Sequence, residues 1–225
     1  MPSLNKNNIP SLILPLETEI IVKKEPENFW EDYYNKRVTP ELLKHFPHEE
    51  ALGLIKYFYR TPGAGTQGCG GTYSLRDLDI KTKSFLEREL KGANIIEFGN
   101  KGVRRNYQLT PFKIKTYQGT DCDYGDDALT YLMKQPDKSA IVCSFGVVES
   151  GVLDSFIGRD APLEKYIDVL AKEIYRVTPT DAITLHGTDG FSELEKAGFT
   201  NKKVLHKVSM GDILAYRKVE WIKYL

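Results

Sequence analysis

The chain is short of several things, and each shortage removes a class of protein. It has three cysteines in 225 residues, Cys69, Cys122 and Cys143, an odd number with no metal-ligand spacing. A disulfide framework and a zinc module are thereby excluded, and reduced thiols in a cytoplasmic protein are expected. Its four histidines, His45, His48, His186 and His206, form no constellation in the sequence. Neither charge is in excess, with 31 basic and 31 acidic side chains, so net charge does not indicate a nucleic-acid partner held through phosphates. Long hydrophobic runs are missing as well. The stretch Ile9–Leu16 is interrupted by Pro10 and Pro15 and is too short to span a bilayer. No small-residue cleavage site follows it. A soluble, intracellular protein with no membrane partner is expected.

What is present is an ordinary globular composition, 41% hydrophobic and 28% charged, without internal repeats. The length suits one domain with an extension, enough to bury roughly 70% of the unfolded surface. Residues 1–27 read as an irregular arm. Trp30, Tyr33 and Tyr34 then share one helical face. Thr39-Pro40-Glu41 supplies an N-cap with proline at the first helical position, opening a pair of helices split at Pro47. Beyond the glycine-rich stretch Thr61–Ser74, Asp79–Leu90 reads as another helix. From Ala93 the period changes. Asn94–Phe98, Lys113–Gly119, Ala140–Phe145 and Ala182–Leu185 read as strands. Between and after them, Asp126–Gln135, Pro162–Val177 and Ser192–Ala197 read as helices, with Pro162 suited to the first helical position and Gly198 a stop. Val204–Val208 and Ile213–Tyr216 close the chain as strands. The alternation predicts an α/β fold with a mostly parallel sheet, helices on both faces and an N-terminal helical cap. The expected division is 1–90 for the arm, cap and glycine-rich loop, and 91–225 for the core.

In such a sheet the residues just past the strand ends carry the function. Here those are Ile96-Glu97-Phe98-Gly99-Asn100-Lys101-Gly102, then Gly119-Thr120-Asp121, then Ile141-Val142-Cys143-Ser144-Phe145-Gly146-Val147-Val148-Glu149. Lys172–Pro179 and Leu194–Phe199 follow in order. Together they resemble the Rossmann-like class I S-adenosylmethionine-dependent methyltransferases, of the type 11-like group, over more than half of the chain. The resemblance implies S-adenosylmethionine as cofactor and methyl transfer to an acceptor, a small molecule or a protein, as activity. It places Glu97, Gly99, Asn100 and Gly102 around the methionine part of the cofactor, and Asp121 with Cys122 at the ribose, where a carboxylate faces a vicinal diol. Ser144 and Phe145 fall at the end of the family's fourth strand, Phe145 as core or as a pocket wall facing the sulfonium. Glu149 is the candidate substrate-side carboxylate. Ser150 replaces the histidine often found next to it, so no catalytic base is assigned. His186, placed just past a strand, is either near the cleft or structural. An Asn-Pro-Pro-Tyr-like string and a Pro-Cys nucleophile are both absent, which argues against amide or adenine N-methylation and cytosine C5 methylation.

The chain departs from the family in two ways. Lys101 stands where a second turn glycine is usual, and only 18 residues separate Asp121 from the next strand's predicted start. That spacing leaves one strand missing or reduced. Two other readings follow: a methyltransferase-like scaffold that has lost its cofactor, or an anion- or nucleotide-binding protein using Lys101, Arg104 and Arg105 at a helix N-terminus. The string Gly63-Ala64-Gly65-Thr66-Gln67-Gly68 spells a dinucleotide fingerprint, but helix precedes it and loop follows. A lid or wall over the cleft is the expectation there.

Overall fold

In the computed structural model the described residues are 29–59, 74–99, 106–120, 125–145, 162–188, 191–208 and 211–219. Helices α1 (Phe29–Asn35), α2 (Pro40–Leu43), α3 (His48–Tyr59) and α4 (Ile80–Leu90) precede strand β1 (Asn94–Phe98). There follow α5 (Asn106–Leu109), a 3-10 turn (Thr110–Phe112), β2 (Thr116–Thr120), α6 (Ala128–Met133), β3 (Ile141–Phe145), α7 (Leu163–Val177) and β4 (Ile183–Thr188). The end is α8 (Ser192–Lys196), β5 (Phe199–Val208) and β6 (Gly211–Lys218).

Capping chemistry fixes several helix starts. The Thr39 hydroxyl accepts from the Leu42 N–H, with Pro40 in the first turn. Asp79 accepts from the N–H groups of Lys81 and Thr82, and Asp127 from those of Leu129 and Thr130. Pro162 is the N-cap residue of α7, one position earlier than the sequence suggests. Gly198, at φ 112°, turns the chain from α8 into β5, a conformation that a Cβ would strain. At the far end of α7 the buried Lys218 ammonium donates to the carbonyls of Tyr175 (2.8 Å) and Thr178 (2.9 Å), groups a helix C-terminus leaves without helical partners.

The sheet has the order β2-β1-β3-β4-β6-β5. β1 pairs in parallel with β2 and β3, and β3 with β4, while β6 runs antiparallel to β4 and β5. One face packs Ile96, Phe98, Val142, Leu214 and Tyr216 against α2, α3, α6 and the apolar stripe of α7. The other packs Ile95, Ile141, Cys143, Leu185 and Ile213 against Leu86 and Leu90 of α4 and against Phe112. Because side chains alternate along a strand, adjacent residues feed different cores, which is why β3 is buried at every position.

Some sequence expectations shift. β2 begins at Thr116 and not at Lys113, because Lys113 sits at φ 57° and closes a 3-10 turn. That helical turn, 106–112, was hidden by its short length. β5 and β6 are longer than their apolar stretches because Thr, Lys and Arg residues continue the pairing. No strand occurs among the described residues between β2 and β3, which hold α6 instead. The short spacing after Asp121 agrees with that, and β2 is an end strand of the sheet among the described residues.

Candidate functional site

The chain leaves β1 for β2 on one side and returns to β3 on the other. The switch point therefore lies at the carboxyl ends of β1 and β3, where an open α/β sheet forms its ligand crevice. Register brings the candidate residues level there. Phe98 stands beside Thr120 on β2 and Ser144 on β3, and Phe145 beside Gly187 on β4. Gly99 follows directly after β1 with φ 73°, a left-handed conformation that favours glycine, and its N–H donates to the Thr120 carbonyl at 2.9 Å. Asp121, the residue after Thr120, is outside the described residues, as are Asn100, Gly102 and Cys122. So are Lys101, Arg104, Arg105, Glu149, Ser150 and the Gly63–Gly71 loop.

Glu97 is 2% exposed, a carboxylate in the sheet interior. The Tyr117 hydroxyl on β2 donates to it at 2.7 Å. Such a group is tolerable only with donors around it. Tyr117 carried no sequence signal, because its role depends on β1 and β2 lying side by side. Phe145 is buried in the core between the sheet and α4.

His186 lies within β4 and not beyond it, because Thr184, His186 and Thr188 alternate on one face and extend the strand past its apolar start. It is fully buried, with Ser144 Oγ 2.6 Å from Nδ1 and Thr184 Oγ1 2.8 Å from Nε2. Thr184 donates its own hydrogen to the Val142 carbonyl. The threonine therefore accepts from Nε2–H, and Nδ1 accepts from Ser144; the tautomer follows from the network. Burial pushes the imidazole down to about 3, so it is neutral. A base so weak, without solvent access, does not activate Ser144 as a nucleophile. Edge-on contacts with Phe191 and Tyr216 complete a structural setting. A separate open groove of about 430 Å³, lined by Ile80, Lys81, Ser84, Phe85, Arg88 and Lys203, lies between α4 and β5, and none of the candidates lines it. Among the described residues no helix is long and apolar enough to cross a membrane.

No protein-family model matches the chain, and no curated protein resembles it significantly in sequence. Solved structures do resemble it. A Burkholderia thailandensis 1,6-didemethyltoxoflavin-N1-methyltransferase, with 1,6-didemethyltoxoflavin and S-adenosylhomocysteine bound, superposes with a TM-score of 0.50 at 10% identity. That match covers 78% of this chain and 91% of the other. An S-adenosyl-L-methionine-dependent methyltransferase, so assigned provisionally, from Methanococcus maripaludis gives a TM-score of 0.43 at 12% identity, covering 76% and 93%. The first likeness shows the fold: the chain has the Rossmann-like α/β architecture of class I methyltransferases.

Proposed function

We propose that the protein transfers a methyl group from S-adenosylmethionine to an acceptor of still unassigned structure. The observation that carries this reading is the level row at the switch point: left-handed Gly99 after β1, tied to the last carbonyl of β2, beside the end of β3. The neighbour from Burkholderia thailandensis, with the same fold, holds S-adenosylhomocysteine. The residues present fit such a group. Gly99 turns the backbone sharply where a ligand approaches. Asp121, next after Thr120 in the sequence, supplies a carboxylate for the ribose hydroxyls, and Asn100, Gly102 and Cys122 follow closely on the ends of β1 and β2 in the sequence. Glu97, with Ser144 and Phe145, forms the support beneath.

The cofactor, when bound, supplies an activated methyl group. The chain's own task is to align the acceptor and exclude water. A base is required only where the acceptor carries a proton on its attacking atom.

Calorimetric titration of the full chain with S-adenosylmethionine and S-adenosylhomocysteine tests the reading. Saturable one-to-one binding is expected, weakened about tenfold or more by Asp121→Ala through loss of a charged hydrogen-bond acceptor. Absence of heat at high ligand concentration would sink the proposal. Unchanged affinity in the variant would remove Asp121 from the site.

A further inference from the structure

Ile80, the first residue of α4, is the most exposed large apolar side chain among the described residues, at 80%. The open groove of about 430 Å³ between α4 and β5 is lined by it. Ile80, Lys81, Ser84, Phe85 and Arg88 recur at three- and four-residue intervals, so they share one face of α4 over about 12 Å. Lys203 on β5 completes the lining, and its ammonium stands 4.0 Å from the Phe85 ring centre. Three cations therefore line this groove, and no carboxylate does.

The acids of α4 and of its N-cap are engaged elsewhere. Asp79 accepts from the Lys81 and Thr82 N–H groups and from the Thr82 hydroxyl. Glu87 pairs with Lys113. Glu89 is held by two guanidinium groups, Arg88 at 2.8 Å and Arg217 at 2.9 Å, so one carboxylate answers two positive charges. The Arg88 side chain is still 70% exposed. Neither Lys81 nor Lys203 forms an ion pair among the described residues. The groove is thus a local positive excess in a chain whose charges balance overall.

We propose that this groove binds a short acidic peptide segment of a partner protein, with one apolar side chain of the segment placed on Ile80 and Phe85. Carboxylates of the segment meet Lys81, Lys203 and the outer side of Arg88, and Ser84 supplies a hydroxyl between them. An extended peptide advances about 3.3–3.6 Å per residue, so about four residues span the face. The volume suits a bound segment of that size. A single-stranded nucleic acid fits less well. A base stacks on a bare aromatic face, whereas Phe85 is approached by Lys203 and, at 5.4 Å, by Arg88. The exposed Ile80 also offers nothing to a phosphodiester. Peptide binding here does not depend on methyl transfer.

Fluorescence anisotropy on the full chain tests it, with a labelled peptide of about ten residues in which glutamates surround one leucine. Saturable binding with Kd about 50 μM is expected at about 50 mM salt, weakening as salt rises. Lys81→Glu with Lys203→Glu weakens it about tenfold or more, and that double variant gains affinity for the matching peptide with lysines in place of glutamates. Ile80→Ser weakens the leucine peptide about threefold and leaves a peptide with serine in place of leucine unchanged. Ile80, Lys81 and Lys203 are exposed, so the variants retain the fold, with circular dichroism as the check. Absence of saturation up to about 1 mM peptide overturns the proposal. So does an affinity indifferent to the charge reversals or to the exchange of leucine for serine, the latter marking a merely ionic surface. Tighter binding of a labelled oligouridylate, lost in the same charge reversals, assigns the groove to nucleic acid and overturns it as well.

Discussion

On one side the sheet stops at β5, ten residues long, with Lys202, Lys203 and Lys207 along it and two breaks in its register with β6. On the other it stops at β2, five residues long, uncharged and regularly paired with β1. Among the described residues both are end strands of the sheet, and β5 carries the charge and irregularity that β2 lacks. β2 is an edge because no strand stands between it and β3 among the described residues. The difference teaches that, among the described residues, the two end strands of one sheet are built differently, one charged and irregular and the other uncharged and regular. The uncharged one, β2, ends one residue before the candidate ribose carboxylate Asp121.

The sharpest way to test the contrast is to ask how each edge is anchored. β5 is tied down by burial: Leu205 is 5% exposed within the core against α4. Leu205→Ala is expected to cost about 2–5 kcal/mol in chemical denaturation. A cost under about 1 kcal/mol would mean that β5 hangs on β6 through backbone bonds alone.

Midway between the edges, β4 gives a pH signature. Unfolded, His186 takes up a proton near pH 6.5; folded, only near pH 3. The unfolded state binds more protons across that window. The contribution of the neutral histidine is fully present above pH 6.5 and is lost as pH falls toward 3, at about 1.4 kcal/mol per pH unit. The stability difference between wild type and His186→Gln should narrow at about that slope between pH 6 and 4. Parallel curves would remove His186 as the source.

The smallest effect on stability belongs to the guards. Replacing Lys202, Lys203 and Lys207 together with Thr should change unfolding free energy by no more than about 1 kcal/mol, since Lys203 gives up a contact over the Phe85 ring. Light scattering should nevertheless show aggregation at concentrations where wild type is clear. A monodisperse triple variant would show that the bulges alone protect β5.

Much of the fold is legible in the sequence where the local signal is strong. The stripe Tyr166, Ile167, Leu170, Ala171 and Ile174 marks α7 because helical periodicity and burial coincide. The apolar run at Ile141–Phe145 marks β3 for the same reason. The sequence ends β4 at Leu185 because His186, Gly187 and Thr188 look like a polar loop until His186 is seen between Ser144 and Thr184. The helical turn at 106–112 is too brief for periodicity to register.

The sequence alone determined the order of strands and helices, the motifs at the strand ends and the deficit of residues after Asp121, since each depends on neighbours in the chain. Only the tertiary structure decided that Glu97 meets Tyr117, that His186 is a neutral core residue and that β2 ends the sheet among the described residues. Those outcomes depend on which strands lie side by side, and contacts between residues distant in sequence leave no local periodicity to read.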